Sequence, residues 1–228
     1  KEKEQKLAAK KGGNTFYWNM MYPGAERVKG MILWWASLNG PMALPGNYSV
    51  ELSNGKTTKK QSFEILRNPV SEVSLADMKE QFHFINDINK KMTEIHKALK
   101  NVKKIKQQVS QLKKSITDKK KHKALLDYAD ALVKDVTKIE ETLYQTKSKS
   151  GQDPLNFPIR LNNKLGHLNS LTRIGNYKPT DQAIAFKNEI TAMIDKELAK
   201  LNSIFNNRVK VLNQKVKESQ IDLIQLNK

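Results

Sequence analysis

One change of rhythm constrains this chain more than any other feature, and it falls at Pro69. Beyond it, apolar residues recur only in steps of three and four: Leu75, Met78, Phe82, Ile85, Ile88, Met92, Ile95, Leu99, Val102, Ile105, Val109, Leu112 and Ile116. At about 1.5 Å of rise per residue, that is one apolar stripe along a helix of about 60 Å. A stripe of that length must be buried against other elements.

Three more stripes follow. Leu125, Ala129, Leu132, Val136, Ile139 and Leu143 make the second, and Leu161, Leu165, Leu168 and Leu171 the third. The fourth runs Ala183, Phe186, Ile190, Ile194, Leu198, Leu201, Phe205, Leu212 and Val216. Breaks at residues 115–118, at Gly151, Pro154 and Pro158, and at residues 175–179 separate them. The simplest arrangement is an antiparallel four-helix bundle over residues 70–228, with shallow crossing angles favoured by the mostly seven-residue repeat. Where the first helix opens, Ser74 is placed to cap free amides and Asp77 to reach back to the Ser74 amide. Val73 and Met78 have the spacing of a hydrophobic staple.

Before Pro69 the rhythm is two. Phe16, Trp18 and Met20 alternate with Tyr17 and Asn19; Tyr48, Val50 and Leu52 alternate with Ser49, Glu51 and Ser53; Phe63 and Ile65 alternate with Ser62 and Glu64. Period two means half-buried strands. Asn54-Gly55 signals a tight hairpin turn, and Pro45-Gly46 another turn before the Tyr48 strand. Residues 13–69 therefore read as a small antiparallel β-domain, a sandwich, with residues 1–12 as a linker. The whole is α+β in two segregated parts. The chain opens KEKEQK, with neither Met nor an apolar leader, which reads as a fragment or a processed product.

Charge narrows the choice of partners. The formal net charge is +18, and residues 97–123 hold eleven lysines against a single acid, Asp118. Lys103, Lys104, Lys119, Lys120 and Lys121 are the candidate anion-binding residues, near the far tip of the first helical hairpin. A solvated tip is the alternative reading. The cluster holds neither an aromatic nor an arginine, so base stacking and bidentate guanine recognition have no platform, and sequence-specific nucleic-acid binding is not expected. The longest apolar run, residues 31–36, has six residues, far short of the roughly 20 that span a bilayer.

Catalytic patterns are absent from the sequence. It has no cysteine, and no GxSxG, GxxxxGK[ST], GxGxxG or HExxH arrangement. His83, His96, His122 and His167 are not spaced as metal ligands and read as solvated or partly packed imidazoles. Glu140 and Glu141 are neighbours on a helix and do not face one another. No metal, cofactor or catalytic residue is expected. Trp34 and Trp35 are candidates for ligand or partner contact: on a strand one indole points inward and the other outward, to pack on the helices or to stack on a sugar. Tyr22 joins them as a candidate.

The stretch "NTFYWNMMYPGAERVKGMILWWASLNGPMALPGNYSVEL", with "QSFEILRNP" after it, resembles the C-terminal region of bacterial exported proteins that carry sortilin-like, BNR-repeat β-propellers and are often labelled glycosyl hydrolases. Their pattern W-[DN]-x-x-Y-P-G-A, G-M-I-L-W, G-P-x-A-x-P-G-x-Y is met by Trp18, Asn19, residues 22–25, residues 30–34, Gly40, Pro41, Ala43, Pro45, Gly46 and Tyr48. The helical half, in "QFHFINDINKKMTEIHKAL", "PIRLNNKLGHLNSL" and "KPTDQAIAFKNEI", is similar to the same family. The resemblance implies an immunoglobulin-like sandwich ahead of the helices, an exported location, and an N-terminal β-propeller as partner. Any glycosidase activity would lie in that propeller, whose Asp-box S-x-D-x-G-x-T-W does not occur here. The expected function is thus a non-catalytic accessory or interaction module. The alternatives are a carbohydrate-binding module, or a helical bundle that binds a polyanion such as an anionic cell-surface polymer.

Overall fold

A computed structural model describes residues 10–221, and most of the 1–12 linker lies outside the described residues. The described chain contains one two-stranded antiparallel sheet, β1 (Gly46–Ser53) and β2 (Thr58–Ile65), and then α1 (Leu75–Ser115), α2 (Lys123–Leu143), α3 (Leu161–Thr172), α4 (Asp181–Ser203) and α5 (Val209–Glu218). A π turn over Ile204–Arg208 joins α4 to α5 as one continuous rod.

This corrects the immunoglobulin-like β-sandwich. Outside β1 and β2 the only β pairing among the described residues is an isolated bridge between Met21 and Met42. The Phe16–Met20 alternation does not become a strand. Met20 turns into the left-handed region at φ 59°, and the Asn19 side chain accepts the Met21 amide at 3.0 Å, so the backbone bends before a ladder can form. Residues 20–25 and 38–43 instead run antiparallel as an irregular ribbon, tied by Tyr22 N–H to Pro41 O, Ala25 N–H to Leu38 O and Ala43 N–H to Met20 O. Gly24 and Gly40 are needed for space: a Cβ on Gly24 would lie 2.0 Å from the Leu38 carbonyl oxygen, and one on Gly40 1.9 Å from that of Tyr22.

The helices also depart from a four-cornered bundle. Lys106 pairs with Glu140 and Lys113 with Asp130, so α2 runs antiparallel along the second half of α1. Gln81 donates to Thr172 O, and Asn169 donates to Asn89, so α3 runs antiparallel along the first half. Lys187 meets Asp87 and Lys91 meets Asp195, which sets α4 parallel to α1. Four helical stretches thus pack as three rods: α1, then α2 and α3 end to end, then α4–π–α5. A helix of 12 residues is too short to cover one of 41, and sharing the length between α2 and α3 solves that.

The apolar stripes fill the space between the rods. Ile85, Ile88, Met92, Ile95, Leu132, Val136, Leu143, Leu165, Ile194 and Leu201 are all at most 1 % exposed. The first turn of α1 uses the Ser74 cap, with Ser74 Oγ accepting from the Asp77 amide at 3.1 Å. The Asp77 carboxylate receives the Ser74 hydroxyl rather than the Ser74 amide. Phe84, rather than Phe82, goes inside; Phe82 meets Tyr22 edge to face at 4.9 Å. In the last rod, Arg208 stands where the stripe steps from Phe205 to Leu212. The π turn changes the phase there, freeing Arg208 to pair with Asp135, while Ile204 packs against both ends of the core. No helix among the described residues is long and apolar enough to cross a membrane.

Candidate functional site

The candidate residues separate into three surfaces. The first is the joint between α2 and α3. Residues 31–37 lie over this joint without forming a strand and are held by side chains that donate to, or accept from, their backbone. The Tyr144 hydroxyl accepts the Ile32 amide at 3.1 Å. Asn163 grips Trp34 twice, its Oδ1 accepting the Trp34 amide at 2.7 Å and its Nδ2 donating to the Trp34 carbonyl at 2.8 Å. Ser170 donates to the Trp35 carbonyl, and the Gly166 carbonyl accepts the Ser37 amide. A Cβ on Gly166 would stand 2.9 Å from Ala36, so the ribbon lies directly on that turn of α3. The two indoles are 5.5 Å apart and tilted by 34°. Trp34 is half-buried; Trp35 is 73 % exposed with φ 51°, a left-handed conformation uncommon for an aromatic residue.

Below this joint Glu26 is fastened to α1. Its amide donates to Thr93 Oγ1, its carbonyl meets Nδ1 of His96, and its carboxylate pairs with Lys100. The Lys100 bond holds the Glu26 carboxyl below its ordinary pKa. His96 is 0 % exposed, buried more deeply than the solvated or partly packed imidazole that the sequence suggests, and its Nε2 has no partner. Burial pushes its pKa below the ordinary histidine value, with Lys100 acting in the same direction. Beside it, buried Asn89 and Asn169 both donate to the Asn39 carbonyl, and Arg173 donates to Ser37 Oγ and to the Gly40 carbonyl. Sequence reasoning missed these clamps. The signal was the density of asparagine in "LNNKLGHLN", poor helix formers whose amides suit backbone gripping.

The second surface is the hairpin with the cleft beside it. The register pairs Tyr48 with Phe63, Val50 with Gln61 and Leu52 with Lys59 on one face. Trp18 covers its near end, 5.9 Å from Tyr48 and 6.3 Å from Phe63. The far end is bare: Val50 and Leu52 are 54 % and 62 % exposed. Neither strand packs on any helix. The turn spans four residues rather than two; Asn54 Oδ1 accepts the Lys56 and Thr57 amides and only Gly55 has positive φ. Tyr22 lines an open cleft of about 630 Å³ with Phe16, Tyr17 and Trp18. Trp34 and Trp35 are not among its walls, so the three aromatic candidates do not form one site.

The third surface is basic. Lys119, Lys120 and Lys121 are exposed on the turn between α1 and α2, where Asp118 accepts the Lys120 and Lys121 amides. Lys103 and Lys104 lie elsewhere, in an open groove of about 900 Å³ on α1 that also includes Lys106 and Lys114. Among the described residues no three histidine, aspartate or glutamate side chains lie close enough to hold a metal ion. No protein-family model, curated protein or solved structure matches the chain.

Proposed function

We propose that this chain is a non-catalytic interaction module that docks a β-rich partner through the bare face of its hairpin. The observation that carries the reading is the hairpin itself. Its alternation is that of a half-buried sheet, yet the face bearing Val50 and Leu52 touches no helix. A lone hairpin is marginal in water, and its sequence calls for more strands or another surface over it. The exposed Phe16, Tyr17 and Trp18 of the adjoining cleft enlarge the apolar area. The resemblance to the tails of exported sortilin-like proteins supplies the partner, a β-propeller preceding this chain in the same polypeptide. The ionic groups support a structural role, since Glu26, Asp130, Glu140 and Asp195 are each engaged by a lysine.

The test produces the propeller and this chain separately and measures their association by titration calorimetry. The double variant Val50→Asp, Leu52→Asp should weaken binding at least about tenfold, the scale of losing two buried apolar anchors. Unchanged affinity in the double variant overturns the docking face. A gene without a propeller upstream overturns the partner.

A second reading is favoured by one observation, the exposed and backbone-strained Trp35. It makes the indole pair a stacking surface for a sugar ring. Titrating a broad glycan panel while following tryptophan emission should then give a saturable change that Trp35→Ala removes, and a flat response across the panel eliminates it.

A further inference from the structure

We infer that the groove on the outer side of α1 binds a linear anionic polysaccharide. This site is independent of the hairpin reading. Lys103, Gln107, Ser110 and Lys114 fall at i, i+4, i+7 and i+11, one narrow strip of the helix, with Lys104 and Gln111 beside it. The strip runs about 16 Å along the axis, the span of a polymer segment rather than of a single ion. Tyr144 and Thr146, where the chain leaves α2, close the groove's other side. Four lysines here face one carboxylate, Glu140, which is taken by Lys106. Lys103, Lys104 and Lys114 form no ion pair among the described residues, so their charge is available to a ligand.

The polymer class follows from what lies between the lysines. Gln107, Gln108, Gln111, Ser110 and Thr146 both donate and accept hydrogen bonds. Sugar hydroxyls do the same, whereas a DNA backbone offers acceptors alone. The groove has no arginine to fork onto phosphate. Its one aromatic, Tyr144, accepts the Ile32 amide at its hydroxyl oxygen. Ammonium groups at the two ends of the strip, Lys103 and Lys104 at one and Lys114 about three turns on, with amides and a hydroxyl between them, match a chain whose sulfate or carboxylate groups are separated by hydroxyls.

The experiment measures binding of a size-defined heparin oligosaccharide and of a short DNA duplex at about 150 mM salt, where distant charges are screened. Three proteins are compared: the unaltered chain, Lys103→Gln/Lys104→Gln/Lys114→Gln, and Lys119→Gln/Lys120→Gln/Lys121→Gln, which removes equal charge from the tip. The groove variant should lose about tenfold or more in heparin affinity and the tip variant less than about threefold. A fourth protein, Gln107→Ala/Gln111→Ala, should weaken heparin several-fold and leave duplex binding unchanged. Equal losses in the two lysine variants overturn the site in favour of diffuse attraction. Duplex binding as tight as heparin binding overturns the polymer class, and absence of heparin binding overturns both.

Discussion

At the scale of single residues, the buried histidine carries the clearest consequence. Neutral His96 donates from Nδ1 to the Glu26 carbonyl, while its Nε2 lone pair meets nothing. The Lys100 ammonium opposes a second proton, the Glu26 carboxylate favours it, and burial decides against it. The folded pKa therefore lies below the unfolded value of about 6.5. Above that value neither state binds the proton and the ring's contribution is complete. As pH falls below it, the unfolded chain protonates first, and stability drains away until the depressed folded pKa is reached, at no more than about 1.4 kcal/mol per pH unit. His96→Asn retains a donor for the carbonyl but cannot titrate. Denaturant unfolding at several pH values should show the difference between the two proteins shrinking as the solution is acidified; a constant difference contradicts the linkage. Nothing in the sequence marked His96 as different from His83, because His96 sits beside the apolar stripe and only the ribbon packed over it makes it core.

At the scale of elements, helices were legible and the ribbon was not. All six residues of the second stripe are buried, from Leu125 to Leu143, because steps of three and four suffice to define a helical face. The ribbon has no such period. Residues 20–43 owe their path to Asn163, Ser170, Arg173 and Gly166, far along the chain, and a local rhythm cannot report distant partners. Alternation in residues 16–20 was real but insufficient, since a strand also needs a neighbour. Gly24 and Gly40 owe their place to close backbone approach. Gly24→Ala and Gly40→Ala should each cost on the order of 2–4 kcal/mol, because carbonyl oxygens rather than flexible side chains occupy the space. Chemical denaturation measures this, and a loss under about 1 kcal/mol in both would show the ribbon to be free to open.

At the scale of the whole molecule, the three rods and the ribbon form one packed body from which the hairpin projects. The apolar core takes Ala25 and Leu38 from the ribbon together with Met92, Leu143 and Leu165 from the helices. Replacing residues 47–64 by a short Gly-Ser linker should therefore leave the helical unfolding transition within about 1 kcal/mol of the intact chain, as for other changes outside the packed core. Far-ultraviolet circular dichroism follows that transition, and a large drop would mean that the hairpin supports the helices. The candidate surfaces were legible only in part: the lysines could be counted, but which of them line one groove depends on where α2 ends.

The grip of Asn163 on Trp34 spans 129 positions. On a ribosome adding about 5–20 residues per second, Trp34 and Trp35 emerge roughly ten seconds before their berth on α3 exists. Throughout that interval the apolar run at residues 31–36 is exposed to whatever binds nascent chains. Ribbon docking must then be a late event in the life of each new molecule, so the joint between α2 and α3 is where interrupted synthesis or slow assembly would leave this protein open to proteases.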